Sequence, residues 1–164
     1  MDSTEIQHRL AELEERVRLL EDEAAIRQLM FTWGPAVDTG SSEVASGLWA
    51  EDGVLETDMS HLVGPREVAA MVESEGHQAL VRQGAGHVQG YPIVTVDGDR
   101  ATATGYSRVY LHTDSGYEVW RLSANHWQFV RTPNGWRVSR RTNHVIDGGP
   151  EARVILSRAL GEKT

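Results

Sequence analysis

The stretch that decides the fold is residues 24–38, which read AAIRQLMFTWGPAVD. Its apolar residues recur at helical spacing with few charges between them, so we expect a helix that is buried in its own domain. Gly34 and Pro35 would normally break or bend such a helix. The stretch ends by presenting one carboxylate, Asp38, and the rest of the chain indicates a curved sheet folded over this helix.

The segment before this helix carries a heptad pattern. Apolar residues alternate at spacings of four and three, with Glu and Arg between them, at Ile6, Leu10, Leu13, Val17, Leu20 and Ala24. Such a pattern is typical of a helix that packs against a partner helix, and it predicts a homo-oligomer, either a dimer or a trimer. The alternative is a helix that lies on its own domain. We assign residues 1–21 to this heptad extension and residues 22–164 to the domain.

Beyond Asp38 the chain predicts short helices first and long strands second. A capped helix at 41–49 and a proline-started helix at 64–84 flank two brief strands. After Gly84 the period becomes that of β-strands, and three turn signals divide this part into four antiparallel strands, at about 87–96, 100–112, 117–131 and 135–146. With a closing helix, this order predicts an α+β fold whose mostly antiparallel sheet curls into a cone-shaped barrel with an internal cavity.

Composition limits the classes of function. The 164 residues suit one domain, and 24 acidic against 16 basic residues give a formal charge of −8, which argues against nucleic acid or an anionic membrane as partner. No run approaches the roughly 20 apolar residues of a membrane span, and the amino terminus lacks the pattern of a signal peptide, so we expect a cytoplasmic protein.

Composition also bears on cofactors. The absence of cysteine excludes disulfides, thiolate metal ligands and a cysteine nucleophile. The histidines form no His-x-x-x-His pair, and there is no phosphate-binding loop, so we expect neither a metal nor a cofactor.

Three segments carry a resemblance to a known family. They are residues 24–38, the strand start Gly86-His87-Val88, and residues 134–141, which read NGWRVSRR. In this order and spacing they resemble the SnoaL-like branch of the nuclear-transport-factor-two-like superfamily, which includes scytalone dehydratase, hexachlorocyclohexane dehydrochlorinase and bile-acid dehydratase. The resemblance covers about residues 22–160 and implies the cone-shaped fold. The superfamily hosts many reactions, so the fold alone does not select one.

The resemblance also implies a catalytic pair. In the dehydratase-like members a histidine acts as general base and an aspartate orients it, and His87 and Asp38 stand at the matching positions. Imidazole can accept a proton near neutral pH, and a carboxylate on its other nitrogen selects the tautomer. Arg141 matches an arginine on the last strand, which would hold a leaving group or an enolate oxygen. The alternatives are a packed histidine, a helix-end aspartate and a solvated arginine.

Other residues are candidates for binding a substrate. If strand alternation runs unbroken from His87, then Gln89 and Tyr91 share its face, and Tyr91 could donate a hydrogen bond to a carbonyl. Five apolar or aromatic residues are expected in the core or the cavity wall, namely Trp33, Trp49, Leu55, Met71 and Trp120.

These observations predict a cofactor-independent lyase or isomerase, dehydratase-like, that acts on a small apolar and cyclic molecule such as a polyketide or a steroid-like compound. The rival is a non-catalytic module that binds a hydrophobic small molecule or assembles oligomers. Asp38-Thr39-Gly40 also matches the signature of aspartic proteases, but that motif leaves a β-strand and needs a second carboxylate. Here it follows a helix and occurs once, so we set it aside.

Overall fold

A computed structural model, which describes residues 2–161, shows an α+β fold built on one long helix. Helix α1 (Ser3–Asp38) runs for 36 residues and continues through Gly34 and Pro35. Proline removes the hydrogen bond that residue 35 would donate to the preceding turn, and its ring crowds the carbonyl of residue 31. The neighbouring Trp33 and Val37 are buried in the core, which keeps the last turn in place.

The other elements follow in chain order. The remaining helices are α2 (Ser42–Gly47), α3 (Gly64–Glu73), α4 (Glu75–Gln83) and α5 (Pro150–Ser157), the last followed by a 3-10 turn at Arg158–Leu160. The strands are β1 (Trp49–Thr57), β2 (His61–Val63), β3 (Ala85–Gln89), β4 (Ile93–Asp97), β5 (Arg100–Thr113), β6 (Gly116–Thr132) and β7 (Gly135–Val145).

Two of the predicted elements are split. The single helix expected at 64–84 is two helices, because Ser74 has extended backbone angles and caps α4 by accepting a hydrogen bond from the His77 amide at 3.3 Å. The single strand expected at 87–96 is β3 and β4. The break falls at residues 90–92, which include a proline that cannot donate a ladder hydrogen bond.

The strands form one curved, mixed sheet in the order β2-β1-β7-β6-β5-β3, with β4 also paired to β5. Neighbours are antiparallel except β1 and β7, which are parallel. Register shifts within the β5–β6 and β6–β7 pairs are bulges, which bend a strand and increase its twist. Within the described chain the end strands β2 and β3 do not pair, so the predicted cone is present but its barrel stays open.

The core lies between α1 and the concave side of this sheet. Ile26, Met30 and Val37 follow one side of α1 and are almost fully buried, in one cluster with Trp127 and Phe129 of β6. Burial of each such side chain stabilises the fold by about 1.5–3 kcal/mol. Within residues 2–161 no helix is long and apolar enough to cross a membrane.

Asp22, the first buried residue of α1, fastens the helix to the sheet. Its two carboxylate oxygens accept hydrogen bonds from Arg131 at 2.9 and 2.6 Å, and Oδ1 also accepts one from the Trp136 indole at 2.9 Å. The hydrogen bond from Arg131 is the main reason that the pKa of Asp22 lies below its ordinary value, against the opposing effect of burial. The carboxylate is therefore charged at neutral pH.

We expect Asp22→Asn to lower the free energy of unfolding at pH 7 by about 2 kcal/mol, because Arg131 loses its buried ionic partner and keeps only the exposed Asp99. The pKa of Asp22 is lower in the folded chain, so the unfolded chain binds the proton first as the pH falls. The stabilisation is complete above about pH 5 and is lost as the pH falls through the folded pKa. Urea unfolding should therefore show that the variant is less stable than the unmodified protein at pH 7, and that this difference in the free energy of unfolding shrinks towards pH 3.

Glu15→Gln is the matched control, because it removes an exposed ion pair with Arg18 on the same helix. It should leave stability unchanged at both pH values. An Asp22→Asn deficit of equal size at pH 7 and pH 3 would contradict the role of the charge.

Candidate active site

The candidate site forms where the end of α1 meets β3. Oδ1 of Asp38 lies 2.5 Å from Nδ1 of His87, and Oδ2 accepts a hydrogen bond from the His87 backbone N–H at 2.8 Å. Because a carboxylate can only accept, Nδ1 is the donor, and Nε2 is the nitrogen that carries the lone pair when the ring is neutral. No residue between 2 and 161 makes a hydrogen bond to Nε2. The two residues predicted as a pair are therefore in direct contact.

This contact requires α1 and β3 to approach very closely at Gly34. A Cβ atom on Gly34 would lie 2.2 Å from the backbone oxygen of His87, far inside any real contact distance. Only glycine, which has no Cβ, allows the strand to lie this close to the helix. The glycine that was expected to break the helix instead positions the strand that carries His87.

His77 of α4 supports the same end of α1. Its Nε2 lies 2.8 Å from the carbonyl oxygen of Val37 and must donate, because a carbonyl can only accept. The carbonyls in the last turn of a helix lack partners within the helix, and the Val37 carbonyl has two partners outside it, His77 and the Gly40 backbone N–H at 3.1 Å. The His77 side chain is buried, and its ring centre is 6.1 Å from that of His87.

A cavity of about 280 Å³ lies beside His87. Its size is near the lower end for ligand sites and suits a small organic molecule. Asp38 does not line it, because its carboxylate is occupied by His87. Seven of the predicted site residues line it, namely Trp33, Leu55, Met71, His87, Gln89, Trp120 and Arg141.

Arg141 of β7 brings a buried positive charge to this cavity. Its side chain is only 7% exposed, its Nε donates to Oδ1 of Asn125 at 2.9 Å, and its guanidinium carbon lies 4.3 Å from the centre of the Trp127 ring. In the part of the chain that the structure describes, no carboxylate forms an ion pair with it.

Burial, with a smaller effect from the charge of Arg121, lowers the pKa of Arg141 to about 9. The guanidinium therefore remains charged at neutral pH. A buried cation without a carboxylate partner favours an anion, or an oxygen that gains negative charge, in the space beside it.

A second arginine of the cavity, Arg121 of β6, has its charge balanced. It forms an ion pair with Asp58, in the turn between β1 and β2, and donates to Oδ1 of Asn143 at 2.9 Å. Burial raises the pKa of Asp58, but the hydrogen bond and charge of Arg121 outweigh this and hold that pKa below its usual value. Arg108 of β5 also lines the cavity but is only partly buried, so Arg141 is the one of these three arginines whose charge is both buried and without a carboxylate partner within residues 2–161.

Tyr91 does not line the cavity, contrary to prediction. It is 76% exposed, and its ring lies 5.1 Å from the guanidinium carbon of Arg27 on the surface of α1. The reason is that β3 ends at Gln89, so the alternation that puts Gln89 on the cavity side does not continue through residues 90–92.

Trp49 is also absent from the cavity wall. It is buried in the core and packs edge-on against Trp33, with ring centres 5.7 Å apart. The sequence prediction did not distinguish aromatic residues of the core from those of the cavity wall. Only their position along the curved sheet decides which of the two places they occupy.

The cavity residues that the prediction missed are mostly polar. Asn143 lies two residues beyond Arg141 on β7, so the strand period could have identified it. The other missed positions depend on the pairing register of the sheet or on the placement of α4, neither of which has a local signal. These polar residues are Thr57, Ser60, His77, Ser107, Arg108, Arg121 and Asn143.

Comparison with known proteins agrees with this fold. A model of the SnoaL-like domain matches residues 18–142. An NTF2-like protein with a cystatin-like fold from Novosphingobium aromaticivorans is 41% identical in sequence, with a TM-score of 0.87 over 90% of this chain and 96% of that chain. No match was found among curated proteins.

Two more distant solved structures share the fold alone. Hexachlorocyclohexane dehydrochlorinase LinA-type3 from Novosphingobium barchaimii is 15% identical, with a TM-score of 0.67 over 77% of this chain and 88% of that chain. Aln2 from a Streptomyces species is 15% identical, with a TM-score of 0.69 over 77% of this chain and 92% of that chain.

We expect Gly34→Ala to push β3 away from α1 and to break the contact between Asp38 and His87. The added methyl overlaps a backbone atom, so the cost should be about 1–3 kcal/mol of stability, as for other overpacked sites. A proton shared so closely with a carboxylate resonates at low field in ¹H NMR, and this His87 signal should disappear.

Gly86→Ala is the matched control on β3, because a Cβ there meets no heavy atom within 4 Å. It should retain both the signal and the stability. If Gly34→Ala kept the low-field signal of the unmodified protein, the close approach would not be what maintains the pair.

Proposed function

The chain belongs to the SnoaL-like family, and we propose that it is a cofactor-independent lyase or isomerase that acts on a small, mostly apolar and cyclic molecule. Dehydration by elimination is the reaction we favour within this class. The observation that carries the proposal is the Asp38–His87 pair, with the free Nε2 of a residue that lines a cavity of about 280 Å³. A polyketide or steroid-like compound of matching size is the substrate class we favour.

In the proposed reaction His87 acts as the general base. Nε2 takes a proton from a carbon next to an electron-withdrawing group, and the electrons of that C–H bond form the new double bond. The leaving hydroxyl departs with its bonding pair and is protonated by the imidazolium, so that water is the second product. Asp38 stabilises the imidazolium while it carries the extra proton and keeps Nε2 directed to the substrate.

Arg141 is proposed to stabilise the negative charge that develops. Its unpaired guanidinium lines the same cavity as His87, and in a poorly hydrated site such a charge acts strongly on an enolate or a leaving oxygen. Because Asn125 and Trp127 hold it in place, little reorganisation is needed during the reaction. It is the third residue to which we assign a catalytic role.

The substrate is proposed to bind through the apolar part of the cavity wall. Trp33, Leu55, Met71 and Trp120 present the kind of surface that holds a hydrophobic ring, while the amide of Gln89 could orient a carbonyl or hydroxyl. The shared fold with a dehydrochlorinase supports elimination only as an analogy between folds. The predicted cytoplasmic location stays a prediction.

The rival proposal is a non-catalytic module that holds a hydrophobic molecule in the same cavity and assembles through the exposed heptad helix. It would use the apolar wall but would have no need of a proton acceptor. The two proposals differ in whether the ligand leaves the protein chemically changed, which mass spectrometry of the recovered ligand reports.

We expect His87→Ala and Asp38→Asn each to lower kcat by about 10²–10⁴-fold on a substrate found by screening cyclic hydroxy ketones, as for loss of a general base. Tyr91→Phe, which alters an exposed residue outside the cavity, should retain full activity. Undiminished turnover in both His87→Ala and Asp38→Asn would contradict the proposed mechanism.

We expect Arg141→Met to lower kcat by about 10²–10³-fold with a smaller change in KM, since its charge matters most when negative charge has developed. Arg140→Met is the matched control, because the neighbouring arginine pairs with Glu56 and does not line the cavity. Steady-state kinetics of both variants, with thermal unfolding to check folding, measures the difference. Equal effects of the two substitutions would show that Arg141 has no special role.

A further inference from the structure

The part of α1 before Asp22 carries an apolar stripe that no other element within residues 2–161 covers. Every residue from 2 to 21 is exposed. The large apolar side chains of the heptad pattern are at least half exposed, with Ile6 at 50%, Leu10 at 54%, Leu13 at 53%, Val17 at 52% and Leu20 at 64%. A row of such side chains along one helix is the surface that a coiled coil buries.

The stripe points away from the domain. At about 100° of rotation per residue, its centre lies roughly 160° around the helix from the side that packs on the sheet. Phe31, further along α1, lies on the same side as the stripe and is 40% exposed. A second helix can therefore approach the stripe without meeting the body of the domain.

We propose that the stripe pairs with the same stripe of a second copy of this chain, as a parallel, in-register, two-stranded coiled coil. In heptad notation Ile6, Leu13 and Leu20 occupy d positions, and Leu10 and Val17 occupy a positions. Val17, a β-branched residue at a between leucines at d, favours two strands, whereas Leu10 at a beside Ile6 at d does not. The proposal does not depend on the reaction that the domain performs.

The charges beside the stripe specify the parallel orientation. Arg9 and Arg16 occupy g positions, and Glu14 and Glu21 occupy the e positions five residues later. In a parallel pair each g residue lies next to the following e residue of the other helix. Arg9 thus meets Glu14 of the second copy, Arg16 meets Glu21, and both contacts occur twice by symmetry.

The antiparallel alternative places like charges together. If the stripe is matched end to end with a reversed copy, Arg16 faces Arg16 and Glu14 faces Glu14 across the centre. Ion pairs already present within this part of the helix, Arg18 with Glu15 and His8 with Glu12, lie at outer positions and do not involve Glu14, Glu21 or Arg16.

The absence of cysteine in the chain allows a clean crosslinking test. Ile6→Cys and Leu20→Cys lie near the two ends of the stripe, so each meets itself only in a parallel, in-register pair. Under mild oxidation both full-length variants should run mostly as disulfide-linked dimers on non-reducing gels. Glu15→Cys, on the outer side of the helix, should remain largely uncrosslinked.

Charge reversal tests the same pairing without crosslinking. The double variant Glu14→Arg with Glu21→Arg should weaken self-association at least about tenfold, and so should Arg9→Glu with Arg16→Glu, because every e–g contact becomes repulsive. An equal mixture of the two should regain a dimer of twice the 18.2 kDa chain mass in light scattering.

Several results would overturn the proposal. They are a monomer at all concentrations, a trimer, no crosslink at Ile6→Cys or Leu20→Cys, and a dimer that is insensitive to both charge reversals, which would place the interface on another surface. Circular dichroism of each variant establishes that the domain has folded.

Discussion

The two-point contact between Asp38 and His87 is the constraint on which the rest of the site depends. A carboxylate at the carboxyl end of a helix lies at the negative end of the helix dipole, which is unfavourable unless donors offset it. Both donors come from one residue, the His87 amide and its ring. For that residue to reach Asp38, β3 must lie directly against α1, and Gly34 is the position that permits it. His77 then completes the hydrogen bonding of the same helix end.

Asp22 and Arg141 are the buried Asp, Glu, Lys or Arg side chains within residues 2–161, and only Asp22 has an ionic partner, which makes Arg141 distinctive. Asp22 is bound by Arg131, and Asp58 by Arg121, so these charges contribute to holding elements together. An unpaired buried guanidinium costs free energy in the folded protein. The fold bears this cost at a position beside a cavity, where His87 also has a free nitrogen. A local loss of stability of this kind is typical of functional sites.

Much of the fold and half of the site could be predicted from sequence because both depend on local pattern or on family motifs. Features of this kind are the helix ending at Asp38, the long strands, the contact of His87 with Asp38 and the place of Arg141 in the cavity lining. Tyr91 was misplaced because a strand period holds only while the strand continues, and β3 ends at Gln89. The polar residues Ser107 and Arg121 were missed because their side of the sheet depends on register, which the bulges in β6 and β7 shift.

The parallel pairing of β1 with β7 has a consequence for how the protein is made. Leu55 of β1 and Arg141 of β7 are direct partners in the sheet, although most of the chain separates them. As the ribosome synthesises the chain, the edge of β1 that pairs with β7 therefore stays uncovered until this last strand has been made. Until β7 has emerged, the nascent chain exposes an unpaired strand and an incomplete core, and such intermediates are prone to aggregate. The cavity and its buried arginine are thus completed in the same final step of folding.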